Sequence, residues 1–340
     1  MNSGKAEGHP SDRQACAADP GKKATPPVSV KQSEAIARLE ALARHDPGGR
    51  GLSATAPAGL LGPAAQALLA ARRVMIVTGF CVRSAMAGET DGPPGATALA
   101  SSLVGLGSTV MILTDRYSTG LVEAACRVRR PILAPKASGL ELSATEGPCL
   151  LVAIARLPDD EGQTTQACLG LAAGFSPDLI LAVERPGGAA DGHRYSMRGT
   201  ILDDIAPSAD SLFTSPEDRN WRTAAIGDGG NELGMGSLRT SCVSAVAMGE
   251  QIFCAAAADY PIAAGISNWG AYALAGALSL LAGRMVLPNP DEELSALQAV
   301  YEAGGVDGCT REHRCTVDGL PADEYLRIIR QMHSLVLESI

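Results

Sequence analysis

The chain has 340 residues, 46% of them apolar and 19% charged, enough to bury a large core. A formal net charge of −9 and an aromatic content of 4% speak against a nucleic-acid surface, which needs cationic residues for phosphates or aromatic platforms for bases. The 38 glycines and 21 prolines are scattered, which excludes a collagen-like or low-complexity chain.

Length alone suggests about two domains, although large α/β folds often run as one. Residues 1–35 mix Lys5, Glu7, Asp12, Arg13, Asp19 and Lys22 with Gly, Pro and Ser. With no apolar stretch for a secretory signal, and with acids that weaken a mitochondrial one, they read as a disordered tail. From 36 to 340 we expect a single α/β catalytic-type domain, with a helical lobe after about 240 as a possible subdivision.

Ile36, Leu39 and Leu42 recur at helical spacing over Ser33 to Arg44. A loop follows over Gly48 to Pro57, then a short helix at about 63–71. Arg73–Thr78 and Thr109–Thr114 are continuous apolar, β-branched runs suited to a parallel sheet. Helices are expected at Gly95–Gly105 and from Ser118 to Arg130. Cys149–Ala155 and Asp178–Val183 read as strands around a helix at Thr164–Gly174. Strand–helix alternation predicts a three-layer α/β fold, a mostly parallel sheet flanked by helices. Beyond residue 185 the pattern breaks into glycine-rich loops. It resumes with a short strand at Thr223–Ile226, Ala-rich helices at about 241–257 and 267–283, and amphipathic helices at 291–304 and 322–338. The Ala/Gly-rich pair could pack very closely or form a dimer face, so a homo-oligomer stays open. Trp269 to Gly283 is too short to span a membrane, which takes about 20 apolar residues, and reads as a buried helix.

The nine cysteines include no C-x-x-C pair and mostly sit in apolar runs such as Pro148–Leu151. They read as buried thiols of a reducing compartment, and the expected location is cytoplasmic. Cys309, His313 and Cys315 lie close together, but a zinc site needs a fourth ligand, so a chance loop cluster is the simpler reading.

Ligands of open α/β sheets bind outside the carboxyl ends of the strands, and the polar, glycine-rich segments stand at those ends. Glu89 and Asp91 precede a Pro-Pro-Gly helix entry. Two acids beside a helix N-terminus could hold a cation and an anionic group together, or the segment could be a capped turn with Asp91 as its cap. No Lys makes this a P-loop, and no G-x-G-x-x-G follows the first strand, so no nucleotide cofactor is indicated. Gly227–Gly236 holds five glycines with Asp228, Asn231 and Glu232, oxygen donors suited to a hard cation. Arg198 could clamp a carboxylate and His193 could act as a base. Ser267 is a natural N-cap, leaving Asn268 to point its amide at a ligand.

Eight ordered segments resemble the D-glutamate cyclase family, in the C-terminal domain of its two-domain mitochondrial form and in its stand-alone bacterial relatives. They are Thr78–Phe80, Glu89–Ala96, Val183–Gly187, Tyr195–Gly199, Ile226–Gly236, Ser267–Gly270, Gly305–Gly308 and Thr316–Gly319. The resemblance covers about residues 60–320 and implies conversion of D-glutamate to 5-oxo-D-proline and water, a carbon–oxygen lyase reaction. The long enzyme's N-terminal domain has no counterpart here, which leaves open whether this domain acts alone.

The roles follow from the chemistry. Ring closure needs a neutral amine, an electrophilic γ-carboxyl, donors for the oxyanion and an anchor for the α-carboxylate. We expect Glu89, Asp91, Asp228 and Glu232 to supply the catalytic base and the ligands of an Mg²⁺ or Mn²⁺ ion. Arg185 or Arg198 would anchor the α-carboxylate, and the amides of Gly229, Gly230 and Asn231 would receive the oxyanion. Asn231, Ser267 and Asn268 would orient the substrate. No nucleic acid or membrane partner is expected. The competing readings are a non-catalytic acidic-amino-acid-binding module that needs a partner, and a metal-dependent hydrolase, which the sparse lysines fit poorly.

Overall fold

In the computed structural model, which describes residues 28–129, 152–214 and 219–340, the apolar runs form one wholly parallel sheet. Its strands are β1 (Arg73–Thr78), β2 (Thr109–Thr114), β3 (Val152–Arg156), β4 (Leu179–Val183), β5 (Arg222–Gly227) and β6 (Tyr260–Ala263). They lie in the spatial order β3-β2-β1-β4-β5-β6. This is the doubly wound order, and its reversal point falls between β1 and β4.

Alternate residues of each apolar strand serve opposite layers. Val74, Ile76, Val110, Ile112, Leu179 and Leu181 face one core. Met75, Val77, Met111, Leu113, Ile180 and Ala182 face the other. Burial on both faces explains why the strands lack a polar period.

The first face carries helices α1 (Val30–Ala43), α2 (Leu61–Ala70) and α3 (Pro93–Gly105). Helix α4 (Thr119–Val128) adds Val122 and Cys126 to the same core. The second is covered by α5 (Glu161–Phe175) and by the irregular segment from about 189 to 258. Helices α6 (Ser267–Ala282), α7 (Pro290–Glu302) and α8 (Ala322–Ser339) return to the first face and share its core with α1. Helix α6 is buried all round, as its lack of a polar side requires. Gly276 lets α1 approach it closely, since a Cβ there would stand 3.0 Å from Leu39.

Three expectations change. The first helix starts at Val30, inside the segment read as tail, because Ser29 and Gln32 close a capping box around its first turn; residues 1–27 lie outside the described residues. The long Ala-rich helix expected at 241–257 is replaced by the short turns Arg239–Cys242 and Gly249–Ile252. Met248 adopts φ 57°, and Gly249 packs where a side chain would collide with the Val243 carbonyl. The Ala run beyond them is extended: Cys254 N and Ala255 N donate to Gly230 O and Gly188 O at 2.8 Å each. The third is β6, a strand not expected from its short, Pro-containing run. The third strand begins at Val152, and residues 130–151, with the Cys149 end of the expected strand, lie outside the described residues. Among the described residues no helix is long and apolar enough to cross a membrane, and all seven cysteines are free thiols.

Candidate active site

The loop from β1 to α3 carries the first acids. It is fastened to a late segment of the chain: Thr90 N donates to Val306 O at 2.9 Å and Val306 N to Gly88 O at 3.0 Å. Asp307 in turn gathers Cys309 N, Thr310 N, Thr316 Oγ1 and Gly319 N, which folds the two late Asp-Gly segments together.

Two helix starts are interlocked across this loop. Asp91 accepts from Ser267 N at 2.9 Å and Asn268 N at 2.8 Å, the first amides of α6. Asn268 answers by accepting from Gly92 N at 3.0 Å and Gly95 N at 2.8 Å at the start of α3, while its Nδ2 donates to Thr90 O at 3.2 Å. The expected capping by Ser267 is therefore corrected. Ile266 occupies the cap position, and Ser267 is the first helical residue with its Oγ buried and unpartnered. A charged carboxylate is the better acceptor at the positive end of a helix and displaces a hydroxyl from that role. Asn268 likewise braces the loop rather than pointing at a ligand.

Beneath the strand ends, Asp91, Glu184 and Asp228 each offer a carboxylate oxygen within 4.8 Å of the other two, all three side chains being buried. Glu184 follows β4 directly with φ 44°, and its Oε2 is buried without a partner. Thus Asp91 and Asp228 come together as expected, and Glu184, which the sequence showed only as a strand end, completes the group. Glu232 does not join it. It turns back on its own loop and accepts from Gly229 N and Gly230 N at 2.7 Å each. Those bonds also occupy two of the amides expected to receive an oxyanion. Glu89 is buried within electrostatic reach of Asp91 and Asp318, its carboxylate seated against Gly308 where a side chain would collide.

Burial is the main force on these acids. It raises Glu89 well above the usual carboxylate range, helped by Asp318 and Asp91. It raises Glu184 similarly, helped by Asp228 and Glu232. Asp91 is pushed up to about 7 by burial and Asp318, against the pull of its two amide bonds to Asn268 and Ser267. Asp228 is raised by burial despite Arg50. Like charges crowded out of water disfavour ionisation together, and a cation would relieve all of them.

The arginines are distributed differently from expectation. Arg185 is fully buried and committed to Asp115, Gly79 O and Pro207 O, so it holds the strand ends together and is not directed at the acids. Arg198 is exposed on the rim and donates to Cys309 O at 3.0 Å. Arg50 is the cation that reaches the acids: it donates to Asp228 Oδ2 at 3.0 Å, Gly265 O at 3.1 Å and Asp318 Oδ1 at 2.7 Å. It stands between Gly49 and Gly51, both at positive φ, on a loop pinned by Asp46. Nothing local in the sequence marks it. Asn231 donates to Tyr195 O at 2.8 Å and leaves its buried Oδ1 unpartnered. His193 is exposed and pairs with Asp203, which raises it. Cys309 joins the rim, with Sγ 3.4 Å from Arg50 and 3.6 Å from Asp318, whereas His313 stacks on Tyr301.

Such a site brings three buried carboxylate oxygens within 4.8 Å of one another and holds Asp91 close to a neutral titration range. A family model described as "D-glutamate cyclase-like, C-terminal" matches residues 39–333. The chain is also similar to the human protein named D-glutamate cyclase, mitochondrial, with 34% identity over 262 residues, 75% of this chain. It spans 40% of the length of that relative.

Proposed function

The chain belongs to the D-glutamate cyclase-like family, C-terminal type, and on that premise we propose that it converts D-glutamate to 5-oxo-D-proline and water. The observation that carries the reading is the buried convergence of Asp91, Glu184 and Asp228 at the strand ends, with one Glu184 oxygen left without a partner. In this reaction the ammonium nitrogen sheds two protons and bonds to the γ-carbon. One γ-carboxylate oxygen takes both protons and leaves as water, so atoms and charge balance.

The chain's acids fit both needs. Asp91, Glu184 and Asp228 form an all-oxygen donor set suited to Mg²⁺ or Mn²⁺. A bound ion of this kind would supply Lewis-acid polarisation of the carboxyl group. Glu89 borders the group and is the residue we assign to proton transfer. It would draw the ammonium proton and return it to the departing oxygen. Arg50 is the cation positioned to exchange Asp228 for a substrate carboxylate, with Arg198 behind it on the rim. Free thiols throughout the described residues suit the cytoplasmic setting expected from the sequence.

The test is to incubate the purified chain with D- or L-glutamate, with and without Mg²⁺ or Mn²⁺, and to follow 5-oxoproline by chiral chromatography. Product from D-glutamate alone supports the reading. The buried acids and Arg50 would equally serve one other reading, a ligand-binding module that requires a partner. No product together with thermal stabilisation by D-glutamate would select it.

A further inference from the structure

Three buried hydroxyls at the carboxyl end of the sheet have no hydrogen-bond partner: Thr78 Oγ1 at the end of β1, Thr114 Oγ1 at the end of β2, and Ser118 Oγ just before α4. All three residues are completely buried. Other buried hydroxyls, such as Thr97, Ser102 and Ser279, turn to a carbonyl one helical turn back. Ser118 stands at a helix cap but does not cap it: its backbone is helical (φ −105°, ψ −12°) rather than extended as a capping residue's is, and its hydroxyl takes no helix amide. A buried hydroxyl left unpaired carries its full desolvation penalty, so three together call for an occupant.

They pack against three glycines that leave no room for a side chain between them. A Cβ on Gly79 would lie 2.6 Å from Ser118 Oγ and 2.9 Å from Thr114 Oγ1. One on Gly88 would lie 2.8 Å from Ser118 Oγ. One on Gly92 would lie 3.0 Å from Thr78 Oγ1 and 2.9 Å from Glu184 Cβ, which places Thr78 next to a member of the acidic group. Val77 and Leu113 are paired in register, so the threonines that follow them are neighbours on one face of the sheet.

We propose that Thr78, Thr114 and Ser118 form a carboxyl-binding subsite that holds the carboxyl group under attack and donates to the oxygen that becomes negative. The subsite rests on the cyclisation reading for its role, although not for its existence. Neutral donors suit that role, since their bonds strengthen as charge develops on the oxygen. The step is the one already balanced: the C–N bond forms, one C–O bond breaks, and the remaining oxygen carries the transient charge. The subsite also supplies donors where the amides of Gly229 and Gly230 are taken.

The test uses the full chain with Ser118→Ala and Thr114→Val, and with Thr114→Ser and Ser118→Thr as variants that keep the hydroxyl. Two probes are read: D-glutamate turnover, and thermal stabilisation by glutarate, a dicarboxylate with no amine to close a ring. We expect kcat to fall about 10²–10³-fold in each hydroxyl-deleting variant, as for removal of one oxyanion donor. The unliganded melting temperature should hold or rise, glutarate stabilisation should shrink, and the hydroxyl-keeping variants should recover both. Wild-type turnover with unchanged kcat in the deleting variants overturns the proposal, as does a wild-type chain that glutarate does not stabilise. A chain that glutarate stabilises only when the hydroxyls are present, but that makes no 5-oxoproline, upholds the subsite and refutes the cyclisation reading.

Discussion

Replacing Asn268 by Ala separates a brace from a substrate contact. The side chain is fully buried and accepts from Gly92 N and Gly95 N while donating to Thr90 O. Truncation strands the Gly95 amide and the Thr90 carbonyl, each of which costs about 1–3 kcal/mol when left unsatisfied, while Gly92 N keeps Asp91 Oδ1 at 3.0 Å. Water entering the vacated volume would re-pair part of this, so the net loss should be about 2 kcal/mol. Urea unfolding followed by far-UV circular dichroism reads this as a lower midpoint at unchanged slope. Asn268→Asp keeps the two acceptor bonds and should recover part of the loss. A change below about 1 kcal/mol, accompanied by a KM for D-glutamate raised tenfold or more, would refute the reasoning, because roughly that much is the least two stranded groups can cost.

Further outcomes follow from the same contacts. Glu184→Gln removes one of the crowded charges without removing a hydrogen bond at Oε2. It should leave the metal-free melting temperature unchanged or higher, abolish stabilisation by Mn²⁺ and cut turnover at least about 100-fold. Equal Mn²⁺ stabilisation of both proteins would remove Glu184 from the cation group. Arg185→Leu leaves Asp115 buried and unpaired and should cost about 3–5 kcal/mol, whereas exposed Arg198→Ala should stay within about 0.5 kcal/mol. The opposite order in urea titrations would reverse their assignments. In EDTA, stability should fall as pH rises. Asp91 moves from an ordinary 3.8 to about 7, so between those values the folded chain holds a proton that the unfolded chain releases. Glu89, Glu184 and Asp228 act in the same direction. A melting temperature that rises from pH 5.5 to 7.5 without divalent cations would contradict this.

What the sequence made visible was what its local chemistry encodes. Runs such as Val74–Val77 are apolar at every position because two cores need them, and that pattern exposes a parallel strand. The Tyr260–Ala263 strand escaped because four residues with a proline leave no period to read. The Ala-rich stretch near 250 misled because composition favours a helix while Met248 and Gly249 need a bend. In the site, Asp91 and Asp228 stood out through their glycine-rich loops. Glu184 was visible as a strand end but not as part of the group, and Arg50 lies 178 positions from Asp228, a separation that leaves no local pattern. Glu232 looked equivalent to its neighbours until the fold turned it onto Gly229 and Gly230.

The exchange of caps between Asp91 and Asn268 has a consequence for motion. Neither helix start can fray alone, because opening the first turn of α3 releases the side chain that braces α6, and the reverse. The amides of Gly92, Gly95, Ser267 and Asn268 should therefore exchange with deuterium at one shared opening free energy, as a single cooperative unit built from segments about 170 residues apart. Entry to the acids would then be governed by one all-or-none event rather than by a loop that flexes on its own.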